Sequence, residues 1–139
     1  YDKPKVRFPG SGGANDFASF CWHTIVITLH NKKRFVEKID FLTTPGYLNG
    51  PGAREAAGLP EDCGPYKIIT DLAVMGFNTE SRRLQIESLH RQVTLEQVRK
   101  NTSFELLTCG DIRETEPPRE NELKILREEV DPHGYIVGR

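Results

Sequence analysis

The sequence lacks a long apolar run and an excess of charge of either sign. No stretch of about 18 apolar residues occurs, which is the length that a membrane-spanning helix requires. Lys and Arg total 19 against 20 Asp and Glu, so there is no surplus of positive charge for a nucleic-acid backbone. The sequence therefore predicts neither a membrane-spanning helix nor a nucleic-acid partner.

Cysteine and methionine are scarce. The three cysteines, Cys21, Cys63 and Cys109, stand far apart and form no Cys-x-x-Cys pair, which favours reduced thiols in the cytoplasm over a disulfide framework or a zinc site. The chain starts at Tyr1 without an apolar signal-peptide core, and its one methionine is Met75. We therefore expect a cytoplasmic chain that is a processed or truncated piece of a longer protein.

What remains has the composition of one globular domain over residues 1–139, with 37% hydrophobic and 28% charged residues. Stretches rich in β-branched residues or with alternating polarity predict strands at residues 6–8, 24–29, 35–41, 66–71, 83–89 and 104–107. Helices are predicted after a cap at Asn15 or Asp16, through residue 100 after the Thr94–Gln97 capping box, and over 120–130. Proline and glycine predict a loop-rich segment over 44–65. The alternation of strands and helices predicts an α/β fold.

A glycine-rich loop, Gly-Ser-Gly-Gly-Ala-Asn-Asp over residues 10–16, runs into the first predicted helix. Glycines reach positive φ without strain and allow a ligand close to the backbone. The free N–H groups of the helix that follows suit a phosphate, a carboxylate or a developing oxyanion. The spacing matches neither a dinucleotide fingerprint nor a P-loop. By pattern alone, a ligand site and a plain turn into a capped helix are about equally favoured.

Other candidate residues carry weaker signals. The histidines lack metal-ligand spacing and are predicted to be hydrogen-bonded or surface residues; they are His23, His30, His90 and His133. A basic cluster has the charge to meet a phosphate, although a solvated hairpin tip is favoured; it comprises Lys32, Lys33, Arg34 and Lys38. The acidic residues lie mostly in polar loops and helices, and none stands out as a nucleophile.

Several segments together resemble one family. Residues 4–16 resemble the glycine loop of the B-type polypeptide of glutaconate-type CoA-transferases, which consist of A and B chains. Counterparts of other segments follow in the same order and extend the likeness over nearly the whole chain; they are residues 34–47, 68–74, 89–107 and 126–132. The combination is much more specific than any single segment.

The resemblance implies an open, mostly parallel α/β sheet with flanking helices, of CoA-transferase type and present here as a partial domain. It also implies complexes of A-type and B-type subunits that pass acyl groups through a glutamyl-CoA thioester. The CoA thioester is a substrate, and no tightly bound cofactor or metal is expected. In this family the glycine loop holds the thioester oxyanion with backbone N–H groups. Carried over, the donors are Gly12 and Gly13, and the loop that binds substrate or CoA includes Gly10, Ser11, Ala14 and Asn15.

One departure from the family is large. The catalytic glutamate of the family lies upstream of the glycine loop, whereas only nine residues precede the loop here and none is Glu. The resemblance therefore implies the C-terminal half of a B-type subunit, with the N-terminal half and the A-type (alpha) subunit as partners and acyl-CoA and a carboxylate as substrates. A ring-opening acyl-CoA hydrolase and a non-catalytic assembly module remain alternatives. The intact Gly-Gly-Ala-Asn sequence favours transfer over hydrolysis.

Overall fold

The computed structural model describes residues 6, 9–136 and 138. These residues fold into a five-stranded sheet with four short helices. The strands lie in the order in which they occur in the sequence: β1 (Thr24–Ile27), β2 (Pro65–Ile69), β3 (Ala73–Phe77), β4 (Leu84–Leu89) and β5 (Leu107–Glu114). The helices are α1 (Gly12–Phe20), α2 (Ala53–Ala56), α3 (Leu95–Lys100) and α4 (Glu120–Ile125), and a π-helical turn (Leu126–Val130) continues α4.

The α/β class is confirmed, and the sheet is mixed rather than mostly parallel. The outer pairs β1–β2 and β4–β5 are parallel, and the inner pairs β2–β3 and β3–β4 are antiparallel. Connection length explains the difference, because residues 70–72 and 78–83 are too short for a crossover and make hairpins instead. The connections over 28–64 and 90–106 are long enough to return the chain in the same direction, and they carry α2 and α3.

Local side chains close both hairpins. The Thr70 hydroxyl accepts the amide hydrogens of Leu72 at 3.2 Å and Ala73 at 3.0 Å. In the second hairpin, Asn78 Oδ1 accepts the amide hydrogen of Ser81 at 2.9 Å. Such turns are typical of Thr and Asn, whose short polar side chains bond to the backbone two or three residues on. The antiparallel centre of the sheet is therefore specified by sequence-local contacts.

The hydrophobic core lies against the centre of this sheet. Its buried members come from β3, β4, α3 and two loops: Phe35, Ala73, Met75, Ile86, Val98 and Leu106. The helix α3 enters the core through Val98 and starts at the predicted capping box, in which the Thr94 hydroxyl accepts the Gln97 amide hydrogen at 3.2 Å. The sequence-local capping box at Thr94 therefore fixes the start of the helix that places Val98 in the core.

Several local predictions are corrected by the structure. Residues 35–41 and 104–106 form no strand, because Phe35 and Leu106 enter the core from loops and the last strand begins at Leu107. The loop-rich segment over 44–65 contains one helical turn, α2. The helix predicted over 120–130 is confirmed as α4 and its π-helical continuation. Residues 7 and 8 of the strand predicted at 6–8 lie outside the described residues, and Val6 has no regular structure.

Candidate functional site

The Gly-Gly-Ala-Asn part of the glycine loop is the first turn of α1. The helix begins at Gly12, and Ser11 is its N-cap without a side-chain hydrogen bond. The cap predicted at Asn15 or Asp16 is therefore wrong, since both residues lie inside the helix. The error has a physical reason: glycine is a poor helix former, so the sequence favours a start at the stronger capping residues that follow.

The N-terminal end of α1 presents free hydrogen-bond donors. The first intrahelical bond runs from the Asn15 amide to the Ser11 carbonyl at 2.8 Å. The amides of Gly12, Gly13 and Ala14 precede that bond and have no acceptor among the described residues. These groups carry the positive end of the helix dipole and point out of the helix, which makes them suitable donors for an anion. The structure thus brings the predicted donors of Gly12 and Gly13 together.

The opposite end of α1 is fully satisfied. The last four carbonyls, those of residues 17–20, would be unpaired in an isolated helix. The Cys21 amide donates to the first of them at 3.0 Å, and Arg54 Nη2 donates to the next two at 3.3 and 3.0 Å. The Cys63 thiol donates to the last at 3.3 Å. The helix is therefore anchored at its C-terminal end and open at its N-terminal end.

Asn15 anchors the middle of α1. Its Nδ2 donates to the Thr43 carbonyl at 3.1 Å, and its Oδ1 accepts the Ser19 hydroxyl hydrogen at 3.4 Å. Its amide group therefore ties the helix to the loop that follows Thr43. Among the described residues, the Asn15 side chain contacts Thr43 and Ser19, and these contacts help to fix the position of the helix.

The glycines of this turn have no steric neighbour within the described part of the chain. A Cβ built on Gly10, Gly12 or Gly13 would meet no atom within 4 Å, and none of the three has a positive φ. Access to positive φ, the general reason for glycine in a turn, therefore does not explain glycine at these three positions. The space beside the free N–H groups is open, which leaves room for a group that approaches the backbone closely.

A mostly apolar cavity of about 370 Å³ lies beside α1. Its wall combines the helix, β1 to β3 and the loop after Thr43: Ala14, Ala18, Thr24, Val26, Thr44, Pro45, Gly46, Pro65, Ile68 and Phe77. The Thr24 hydroxyl is buried there without a hydrogen-bond partner among the described residues. This described wall contains no carboxylate, thiol or imidazole. The described wall therefore has the surface to bind an apolar group and holds no carboxylate that would attack one.

Of the predicted hydrogen-bonded histidines, His30 is the most deeply placed. Its Nε2 lies 2.9 Å from Thr102 Oγ1 and its Nδ1 lies 3.2 Å from Thr70 Oγ1, while its ring stacks on Phe35 at 4.1 Å. Burial lowers the pKa of His30, and the negative charge of Asp71 opposes that shift. These contacts join three distant segments, so they indicate a structural role.

None of the described residues of α1 lines the hollow beside Lys32 of the basic cluster. Lys32 lines a wide hollow of about 890 Å³ together with Arg83, and the acidic side chains of Glu37 and Glu105 share it. The two cations and two carboxylates balance, so this hollow has no net charge to attract an anion. No group of three or more potential metal ligands occurs in the described part of the chain. None of the helices over residues 6, 9–136 and 138 is long and apolar enough to cross a membrane.

Sequence reasoning missed the two side chains that hold the C-terminal end of α1. Arg54 lies in a short run of alanines and a glutamate, which is typical of a solvated helical turn, yet only 2% of its surface is exposed. Cys63 lies in a loop rich in proline and glycine and is also buried. Neither position carries a local signal, since both contacts join residues more than 30 positions apart.

Comparison with known proteins gives a consistent set of relatives. The Coenzyme A transferase family model matches residues 1–101. The B chain of glutaconate CoA-transferase from Acidaminococcus fermentans is 41% identical over 132 residues, covering 95% of this chain and 49% of the relative. The B chain of 3-oxoadipate CoA-transferase from Pseudomonas knackmussii is 40% identical over 127 residues, covering 91% and 48%. The IpdB polypeptide of a cholesterol ring-cleaving hydrolase from Rhodococcus jostii is 29% identical over 103 residues, covering 74% and 40%.

The fold agrees with these relatives. The crystal structure of glutaconate coenzyme A-transferase from Acidaminococcus fermentans superposes with a TM-score of 0.88 at 39% identity, covering 100% of this chain and 53% of that chain. The chain spans about half the length of the curated relatives it matches. The predicted likeness to B-type subunits is confirmed, and the chain belongs to the coenzyme A transferase family.

Proposed function

We propose that this member of the coenzyme A transferase family is part of an enzyme that moves CoA between an acyl-CoA and a carboxylic acid. The reaction passes through a glutamyl-CoA thioester, and the acyl-CoA is a substrate rather than a bound cofactor. Two relatives with 40% identity or more are CoA-transferase polypeptides, which supports transfer as the chemistry. The chain itself is proposed to be a single structural unit, equivalent to the second half of a B-type subunit.

The role of this chain is to stabilise the oxyanion that forms when a carboxylate attacks the thioester carbonyl. Charge then builds on the carbonyl oxygen, and preorganised N–H groups lower the free energy of that state. The observation that carries this role is the end of α1, where the amides of Gly12 and Gly13 are free among the described residues and the space beside them is open. Gly10, Ser11 and Ala14 complete the backbone turn that receives the substrate.

The attacking carboxylate comes from outside the described residues of this chain. The cavity beside α1 has no carboxylate in its described wall. None of the nine residues before Gly10 is Glu. We therefore assign the glutamate to the remaining part of a B-type subunit, and the acid-binding side chains largely to that part and an A-type subunit.

The free edge of the sheet supports a polypeptide partner. Among the described strands β1 pairs with β2 alone, and its Ile25 and Ile27 are 53% and 80% exposed. A continuous β-branched run is typical of a strand buried on both faces, and such a run is unusual at an open edge. Next to it, Phe17, Phe20 and Trp22 are also exposed. This apolar edge, defined by residues 17–27, is where we place the missing part of the subunit.

The second candidate function is hydrolysis of a CoA thioester on the same fold. It is favoured by the relation to the cholesterol ring-cleaving hydrolase polypeptide at 29% identity. Both functions use an oxyanion site, so the free amides of α1 do not separate them, and it is the intact Gly-Gly-Ala-Asn sequence that favours transfer. A non-catalytic assembly role predicts a chain that completes a partner's core without binding CoA. A cytoplasmic location fits all three candidate functions, and it agrees with the three cysteines of the chain, which are free thiols.

Intact mass spectrometry of the complete protein tests the proposal. The purified complex is incubated with acetyl-CoA, and the mass of each polypeptide is compared with that of a sample without it. Transfer predicts that one partner polypeptide gains the mass of CoA less one water, as a glutamyl-CoA thioester. The adduct must disappear when an excess of a carboxylic acid that accepts the CoA is added, and the CoA thioester of that acid must appear in its place. Turnover of acyl-CoA to free CoA without any adduct would favour hydrolysis, and no reaction would favour the assembly role.

A further inference from the structure

Arg54 is a cation buried inside the chain. Only 2% of its surface is exposed, and its Nη1 donates to the Gly46 carbonyl at 2.9 Å. Its Nη2 donates to the carbonyls of Ala18 at 3.3 Å and Ser19 at 3.0 Å. A guanidinium remains protonated in proteins, so these contacts place a full positive charge between α1 and the loop around Gly46.

The acceptors of Arg54 are all neutral carbonyls. The ion pairs of the described residues are Lys67–Glu87, Arg83–Glu105 and Lys124–Glu128, and none involves Arg54. Its Nε is buried without a hydrogen-bond partner among the described residues. A buried charge without a counter-charge is costly. The three carbonyls need donors, but neutral donors would satisfy them without the cost of burying a charge, so the need for donors does not by itself explain arginine at this position.

The position of Arg54 relative to α1 suggests a better reason. A cation that binds the last carbonyls of a helix interacts favourably with the negative end of its dipole. The other end of the same helix carries the free N–H groups of Gly12 and Gly13, about 10 Å away at 1.5 Å per residue. One rigid element thus connects the guanidinium to the proposed oxyanion donors. The bond to Gly46 fixes that element to the loop that lines the neighbouring cavity.

We propose that Arg54 is a positioning residue for the oxyanion site. Its fork of donors holds the C-terminal end of α1 against the loop at Gly46, and this sets where the amides of Gly12 and Gly13 lie. The inference rests on the proposed function of those amides. Arg54 contacts no substrate, so its effect appears in the rate of the chemical step and much less in substrate binding.

The test uses the complete enzyme with acetyl-CoA as donor and glutaconate as acceptor. Arg54→Met keeps much of the side-chain volume and removes the donors and the charge. A displacement of about 1 Å at a catalytic group costs about a hundredfold in rate, so we expect kcat to fall by about that factor and KM for acetyl-CoA to change little. Arg54→Lys keeps the charge, but one ammonium does not reproduce the planar fork, so it should restore kcat only in part.

Arg83→Met is the matched control. Arg83 is a half-exposed arginine that pairs with Glu105 at 3.3 Å, away from α1, and its loss should leave kcat unchanged. Thermal unfolding of every variant is recorded beside the kinetics. If Arg54→Met fails to fold, Arg54→Lys decides the question: a tenfold or greater loss of kcat with normal unfolding supports positioning, and a smaller loss overturns it.

Gly13→Val in the same assay separates the positioning role of Arg54 from the proposed function of the amides. A large loss of kcat in Gly13→Val, together with Arg54 variants that behave like Arg83→Met, overturns the positioning role and leaves the proposed function standing. A rise of KM at unchanged kcat in the Arg54 variants overturns the positioning role as well. Full activity in Gly13→Val, or no CoA exchange by the unmodified enzyme, overturns both.

Discussion

Replacing Gly12 or Gly13 with alanine should raise stability and lower activity, two effects of opposite sign. Both glycines lie in the first turn of α1 with open space around them. Alanine is favoured over glycine in a helix interior by about 1 kcal/mol, and less is expected at the first two positions. We therefore expect each variant to gain about 0.5 kcal/mol in the free energy of unfolding, which corresponds to about 1–3 °C in Tm.

The same methyl group should obstruct the proposed oxyanion site. The Cα–Cβ bonds of a helix tilt toward its N-terminus, so a methyl group at Gly12 or Gly13 projects toward the space in front of the free amides. Loss of one oxyanion donor typically costs a factor of about 10² to 10³ in kcat, or about 3–4 kcal/mol. A methyl group that keeps the substrate oxygen at a distance should cost a comparable amount. The expected loss of activity therefore exceeds the expected gain of stability several-fold in free energy.

Steady-state kinetics of CoA exchange and thermal unfolding of the same samples check this prediction. Gly110→Ala is the control, because Gly110 lies in β5, has no positive φ and leaves open space for a Cβ. It should change neither kcat nor the stability of α1. Normal kcat in both first-turn variants would refute the oxyanion assignment. A joint fall of stability and activity would show instead that the glycines are needed by the fold.

Three further changes test the structure. Because burial lowers the pKa of His30, the folded chain binds a proton less readily than the unfolded chain, and the free energy of unfolding should fall as pH drops below about 6.5. The fall should be less steep in His30→Gln, and urea unfolding of both proteins at two pH values measures the difference. Equal pH dependence in both proteins would contradict this. Gly76→Ala places a methyl group against the Glu87 carboxylate and should break the ion pair between Glu87 and Lys67. Loss of the pair should lower the free energy of unfolding by at most about 1 kcal/mol, so adding Glu87→Gln to Gly76→Ala should lower it little further. Ile27→Lys puts a charge on the apolar edge and should weaken assembly with the partner polypeptides in size-exclusion chromatography while the chain stays folded; unchanged assembly would move the interface elsewhere.

Features with a local physical cause could be predicted from the sequence. The capping box at Thr94 and Gln97 contains both of its bonds within four residues, and the helix that follows is present. The run of β-branched residues at 24–29 contains β1, since β-branched side chains favour an extended backbone. In both cases the interactions or propensities that favour the structure lie within one short segment of the sequence.

Features that depend on distant contacts could not be predicted in the same way. Residues 35–41 have the composition of a strand, but Phe35 instead stacks on His30 and enters the core. The anchoring of α1 by Arg54 joins positions separated by 35 and 36 residues, and no spacing in the sequence indicates it. The donor pair at Gly12 and Gly13 is indicated by a family resemblance, because the pattern alone does not distinguish an anion site from a turn.

The amides at the start of α1 are proposed to polarise a thioester carbonyl. Isotope-edited infrared spectroscopy measures this directly, by comparing acetyl-CoA labelled with ¹³C at its carbonyl in water, in the complete enzyme and in the Gly13→Ala variant, each with an excess of acetate that carries the same label and keeps the thioester in the acetyl form. Hydrogen bonds from the helix end weaken the C=O bond. We predict a carbonyl band at lower frequency in the enzyme than in water, with much of that shift lost in Gly13→Ala. A bound thioester whose carbonyl band is the same in the enzyme and the variant would contradict the account.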